Sequence, residues 1–182
     1  RPIYGRVYAP FLHASPYAFG ERPLLHPIAE MEIVARLGAA LPARPEPYTN
    51  KEVADTVASM HPGLEIAECR FVHDEAFPPL SAVIADGCGS GSIVYGEAIE
   101  NWRERDISSE HVQLYLNGEP ARDGVVRDAV EHPLEPLTWL ANELSRRGLG
   151  LESGDWVSTG TLTGMVLVRP GDDLVALSLI HI

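Results

Sequence analysis

The chain has 182 residues, 45% hydrophobic and 22% charged, which suits one domain with a sizeable buried core. Its formal net charge of −12 argues against binding a nucleic-acid backbone, and no apolar run reaches the length of a membrane span. The only cysteines, Cys69 and Cys88, form no Cys-x-x-Cys motif; with no signal peptide legible, a reduced cytoplasmic protein is expected.

In chain order, residues 1–27 are rich in proline and aromatics and read as strand and loop. The segment HPIAEMEIVARLGAAL carries two readings. As a strand, Glu30 and Glu32 share one face while Met31 and Ile33 point the other way. As an amphipathic helix, Met31, Val34, Leu37 and Leu41 form an apolar stripe, and the two glutamates point about 200° apart. The Pro-rich ALPARPEPYT follows as a loop. Thr49 and Glu52 have the spacing of a capping box, which predicts a helix over about 51–60 ending before Pro62. GLEIAECRF reads as a strand, HDEAFPPL as a loop, and SAVIADGCGSGSIVYGE as a glycine-rich stretch before an apolar strand. HVQLYLNGEPA reads as a strand entering an Asn117-Gly118 turn. Leu134, Leu137, Leu140, Ala141 and Leu144 mark a helix over 133–147 that Gly148 terminates. Glycine turns and short strands alternate over 151–176. Fifteen prolines and sixteen glycines punctuate the chain and favour a β-rich fold.

The strand reading of Glu30 has chemical consequences. The two carboxylates would lie roughly 6–7 Å apart on one face of an apolar run. Their repulsion and desolvation are costly unless a hard divalent cation neutralises them. Glu65 would supply a third ligand; Glu68 sits on the opposite face of its strand. In the helical reading these acids are ordinary solvated charges.

Other motifs carry less. Asp86-Gly87-Cys88-Gly89-Ser90-Gly91 lacks the features of a P-loop or a dinucleotide fingerprint and reads as a tight turn near a small ligand. Cys88 has no evident base, and Ser90 and Ser92 form no nucleophile elbow. His73-Asp74-Glu75 reads as a solvated loop tip. His61 is a second-shell candidate from its closeness to Glu65, and Trp102, Trp139 and Trp156 read as packing residues.

Six ordered stretches together resemble the fumarylacetoacetate hydrolase superfamily, in its 2-keto-4-pentenoate hydratase / 4-oxalocrotonate decarboxylase branch. They are PIYGRVYAP, AEMEIVARLGAALP, EVADTVASMHPGLEIAECRF, ADGCGSGSIVYG, HPLEPLTWLANEL and LESGDWVSTGTLTGMVLVRPGDDLVA. The resemblance implies an α+β, β-rich fold: a mixed β-sandwich roll with a few flanking helices, forming one catalytic domain over 1–176. It implies Mg²⁺ or Mn²⁺ held by Glu30, Glu32 and Glu65, with Ser90, Thr159, Gly160 and Thr161 at the substrate. The implied reaction adds water to a 2-hydroxy-2,4-dienoate in aromatic-compound catabolism. Acylpyruvate hydrolysis, 2-oxo acid decarboxylation and a non-catalytic partner-subunit role are the alternatives. The implied partners are a small anionic 2-oxo acid, further copies of the chain in a homo-oligomer, and a decarboxylase paralogue.

The pattern departs from the branch in places. The branch lysine upstream of Pro-x-[Tyr/Phe]-Gly has no counterpart, since the chain starts at Arg1-Pro2, which leaves the catalytic residue unassigned. The position before the aromatic is Ile3, where many hydratases carry Asp. The branch's Asp-Asn-Ala-Ser loop is Asp86-Gly87-Cys88-Gly89. Lys51, the only lysine, lies at the predicted helix start. The chain reads as an N-terminally truncated fragment, with Leu177–Ile182 as a non-native tail.

Overall fold

Alternation of side chains around Glu30 organises the molecule. The computed structural model describes residues 2–20, 23–71 and 78–178. A 3-10 turn at Ala9–Phe11 leads into β1 (Leu12–Ala14), followed by β2 (Ile28–Leu37). In β2 the buried apolar residues Ala29, Met31, Ile33, Ala35 and Leu37 alternate with Glu30, Glu32, Val34 and Arg36 on the other face. The segment is therefore the strand of the two readings.

Helix α1 (Asn50–Thr56) starts with the predicted capping box: the Thr49 hydroxyl accepts from the Glu52 N–H, and the Glu52 carboxylate accepts from the Thr49 N–H. It stops four residues earlier than predicted. Val57 is already extended and opens β3 (Val57–Ala67), which begins six residues before the predicted strand. Pairing along the whole of β2 overrides the weak local helix preference of this stretch. Pro62 sits inside β3, opposite Ile33. It is tolerated because pairing with the next strand begins one residue later, at Gly63, while its carbonyl accepts from the Gly96 N–H at 2.8 Å.

Helix α2 (Leu80–Ala85) was not anticipated; it is six residues long and has no side-chain cap to announce it. Strands β4 (Ser92–Tyr95), β5 (His111–Leu116) and β6 (Glu119–Val125) follow. Asn117 and Gly118 both have positive φ, 55° and 82°, the signature of a type I′ hairpin turn between β5 and β6. The short α3 (Val126–Val130) was also unforeseen. Helix α4 (Leu134–Ser145) buries Leu137, Ala141 and Leu144 on the predicted stripe, and Gly148 takes φ 71° just beyond it. Strands β7 (Trp156–Ser158), β8 (Val166–Leu167) and β9 (Leu174–Ser178) complete the set.

The main sheet has the order β1-β4-β3-β2-β7, and β8 also pairs with β2. The β1–β4 pairing is parallel and the others are antiparallel. A second antiparallel sheet runs β6-β5-β9. Leu114 of β5 packs with Ala29, Ile66 and Val166, so the second sheet covers the apolar face of the first. Helix α4 buries Leu137, Ala141 and Leu144 in a larger neighbouring cluster with Met31, Ile33, Val53 and Met60. The result is the expected strand-rich α+β sandwich with few helices. Leu177 and Ser178, read as the start of a tail, pair with Gln113 and Val112 in β9, and residues 179–182 lie outside the described residues. No helix among the described residues is long and apolar enough to cross a membrane.

Candidate metal centre

Register places the acids. Glu30 of β2 is paired directly with Glu65 of β3, and Glu32 faces Gly63 two positions along. Paired residues share a face, so all three carboxylates stand on the face opposite the hydrophobic core. One oxygen from each lies within 4.8 Å of the others. Gly63 keeps this face open: a Cβ there would meet Val34 Cγ2 at 2.4 Å.

The cluster is electrostatically unsettled. Glu32 is only 2% exposed, and Glu30 and Glu65 are half-buried. Burial first, and the Glu32 charge second, push Glu30 up to about 7. Burial, then the charges of Glu32 and Glu30, push Glu65 up to about 9. Burial also raises Glu32, against hydrogen bonds from the Ser158 hydroxyl and from the Gly160 N–H at 2.9 Å. Glu65 keeps its proton and shares it in a hydrogen bond with Glu32. Among the described residues no arginine or lysine pairs with any of the three. Protons do here what a cation would do better.

The residues fit a divalent ion. The donors are all carboxylate oxygens, the set that suits Mg²⁺, Mn²⁺ or Ca²⁺. Beside them the Thr161 hydroxyl is buried without a hydrogen bond of good geometry, although it lies near enough to Glu30 to moderate that residue's upward shift. An orphaned hydroxyl next to crowded acids is what a site short of its ligand presents.

The other site candidates divide. Gly160 lies beside Glu32 and takes φ 107°, a conformation natural to glycine. Thr159 turns away, its hydroxyl committed to the Ile33 carbonyl at 2.8 Å. Ser90 belongs to the Asp86–Gly91 loop, where its N–H donates to Gly87 and its carbonyl accepts from Arg70. Of that loop, the side chain that feels the Glu65 charge is Cys88; burial first, then that charge, push its thiol up, and the thiol donates to the Tyr4 carbonyl at 3.0 Å.

Glu68, Glu65's rival in sequence, lies beyond β3 and accepts from the Leu25 N–H at 2.9 Å. His61 shares the face of the carboxylates, but its ring nitrogens bond to Gly96 and Ser59, so it is not a second-shell group to them. Its ring packs instead at 4.9 Å from Trp156 and 5.6 Å from Tyr95. His73-Asp74-Glu75 lies outside the described residues. Sequence reasoning missed Ser158. A hydroxyl just before Thr-Gly-Thr was visible, but β7's pairing with β2, which delivers it to Glu32, was not.

Comparison with known proteins agrees with this fold. The family described as Fumarylacetoacetate (FAA) hydrolase C-terminal matches residues 21–180. The chain is 28% identical over 176 residues to a 4-oxalocrotonate decarboxylase of Pseudomonas putida, covering 95% of this chain and 64% of that protein. It is 34% identical over 150 residues to a 2-keto-4-pentenoate hydratase of Paraburkholderia xenovorans, covering 82% and 54%. Among solved structures, 4-oxalocrotonate decarboxylase from Pseudomonas putida G7 complexed with calcium and acetate superposes with a TM-score of 0.84 at 26% identity, covering 97% of this chain and 65% of that one. The same enzyme complexed with magnesium and adipate gives 0.82 at 27% identity, covering 98% and 66%. The chain thus spans between half and two thirds of the length of these relatives.

Proposed function

This chain belongs to the fumarylacetoacetate hydrolase family, and on that premise we propose that Glu30, Glu32 and Glu65 hold Mg²⁺ or Mn²⁺ in an enzyme that hydrates a 2-hydroxy-2,4-dienoate. The product would be a 4-hydroxy-2-oxo acid. The observation that carries this reading is the convergence of three carboxylates with which no arginine or lysine among the described residues pairs.

When bound, the divalent cation supplies positive charge opposite the oxygens of a 2-oxo acid, where negative charge develops in the reaction. The chain's own residues do the rest. Ser158 and the Gly160 N–H pin one oxygen of Glu32, fixing that carboxylate's orientation. Thr161, beside Glu30, offers a hydroxyl to a substrate oxygen. The loop around Cys88 and Ser90 closes the Glu65 side, held by Arg70 through Asp86 and the Ser90 carbonyl.

The decarboxylase relatives, which match over nearly the whole chain, favour a second reading on the same site: release of CO₂ from a 2-oxo acid. Calorimetric titration of Mg²⁺ and Mn²⁺ into this chain and into Glu32→Gln tests the site. One-site binding lost in the variant supports it; no binding, or equal binding, defeats it. Product analysis with 2-hydroxy-2,4-dienoates and 2-oxo acids then separates added water from released CO₂.

A further inference from the structure

A second constellation lies at the far end of β3. Ser59 and His61 are on the carboxylate face, but Ser59 is six residues from Glu65, about 20 Å along the strand. The Nδ1 of His61 lies 2.8 Å from the Gly96 carbonyl, and its Nε2 lies 2.8 Å from the Ser59 hydroxyl. A carbonyl only accepts, so Nδ1 carries the proton and Nε2 is the free base. The Ser59 hydroxyl therefore donates to Nε2. Tyr95 and Trp156 pack on the imidazole of His61, a residue that is 8% exposed.

Ser59 borders a space. A cavity of about 350 Å³ is lined by Ala58, Ser59, Ile99, Trp102 and Arg103, among others. The nucleophile reaches the cavity, and its base and the carbonyl that orients the base stand behind it, the relay that acyl transfer requires.

We propose that Ser59 and His61 form a second reactive centre, a serine nucleophile with a histidine base, which takes acyl groups from small activated esters in this cavity. Ser59 Oγ bonds to the acyl carbon while its proton passes to His61 Nε2. The C–O bond to the leaving group breaks, and that oxygen departs with the proton. Water then attacks the acyl-serine and gives a proton to Nε2; the Oγ–acyl bond breaks, Nε2 returns that proton to Ser59 Oγ, and a carboxylic acid leaves. The orienting group is a neutral carbonyl, so it fixes the tautomer without stabilising an imidazolium, and turnover is slow.

The test is labelling of the full chain with a fluorophosphonate, followed by peptide mass spectrometry and by 4-nitrophenyl acetate hydrolysis. The expected result is an adduct on Ser59, lost in Ser59→Ala and slowed about 100-fold in His61→Gln. An unchanged circular-dichroism melt in Ser59→Ala would show that the fold is retained. Should the His61 variant not fold, Ser59→Cys serves: its thiol should react with iodoacetamide about 10-fold or more faster than Cys69 or Cys88. Labels spread over exposed serines such as Ser153, a Ser59 adduct indifferent to His61, or a sluggish thiol at position 59 would each overturn the proposal. None of these outcomes touches the carboxylate site, so the two readings stand or fall separately.

Discussion

Glu143 on α4 and Glu32 on β2 are buried to a similar depth, 4% and 2% exposed, but in opposite company. Glu143 meets Arg146 and Arg147, one turn along the same helix; Arg147 donates through Nε and Nη2 at 3.0 and 2.7 Å. Its charge is balanced within a single stretch of sequence. Glu32 meets Glu30 and Glu65, and among the described residues hydroxyl, amide and carboxyl donors, with no cation, offset the repulsion. One acid is spent on holding the fold together. The other three are held against their own preference, which is how a fold stores readiness for a ligand at the expense of stability.

The largest test of this contrast is to neutralise the acids singly. Glu32→Gln should weaken Mg²⁺ binding by more than the roughly 10–100-fold typical for loss of an outer-sphere partner. In EDTA at pH 8, Glu65→Gln should melt higher than the parent, because glutamine spares folding the uptake of a proton that Glu65 requires at that pH. Glu143→Gln should do the reverse, melting lower with metal affinity unchanged. If Glu65→Gln melts lower without metal, the cluster is not strained and the comparison fails. Next in size is Ser158→Ala, which should cost about 10-fold or more in Mg²⁺ affinity by calorimetry, since Glu32 loses one of the donors that fix it. Gly160→Ala should destabilise the chain by about 1–3 kcal/mol in a urea melt, from its φ of 107°.

The remaining test is of pH dependence. Glu30 and Glu65 hold their protons to about 7 and about 9, against an ordinary value of 4.5. Between pH 4.5 and 9 the folded chain therefore binds more protons than the unfolded one. Stability from these groups is fully present below pH 4.5 and is lost as pH rises through that window. Melting temperature in EDTA should accordingly fall from pH 5 to 9, on top of any contribution from other groups. Excess Mg²⁺ should flatten the fall, and Glu65→Gln should remove most of it. A slope equal in parent and variant would show that the carboxylates do not set it.

How much of this was legible depended on how local the signal was. The capping box at Thr49, the Asn117-Gly118 turn and the α4 stripe each lie within a few residues, and each forms as read. The end of α1 was misplaced because the cue, Pro62, is local, whereas the force that extends Val57–His61 is pairing with β2. The face shared by Glu30 and Glu32 follows from alternation alone. Their meeting with Glu65 needs the hairpin register, and the roles of Ser158 and Gly160 need a strand that arrives from the far end of the chain. Ser59 and His61 went unpaired in the sequence because the carbonyl that orients the ring belongs to Gly96, reached only through β4.

The direct pairing of Glu30 with Glu65 also dictates where this chain tolerates changes in length. A single-residue insertion within β2 or β3 would turn every following side chain to the opposite face, sending a carboxylate into the packed interior and a methionine or isoleucine out of it. Only changes in steps of two would preserve the pattern. The Pro-rich connection between Leu37 and Asn50 carries no such parity and could grow or shrink at a cost that rises only slowly with its length. Evolutionary drift in length should therefore be found in that connection and be missing from the two strands it joins.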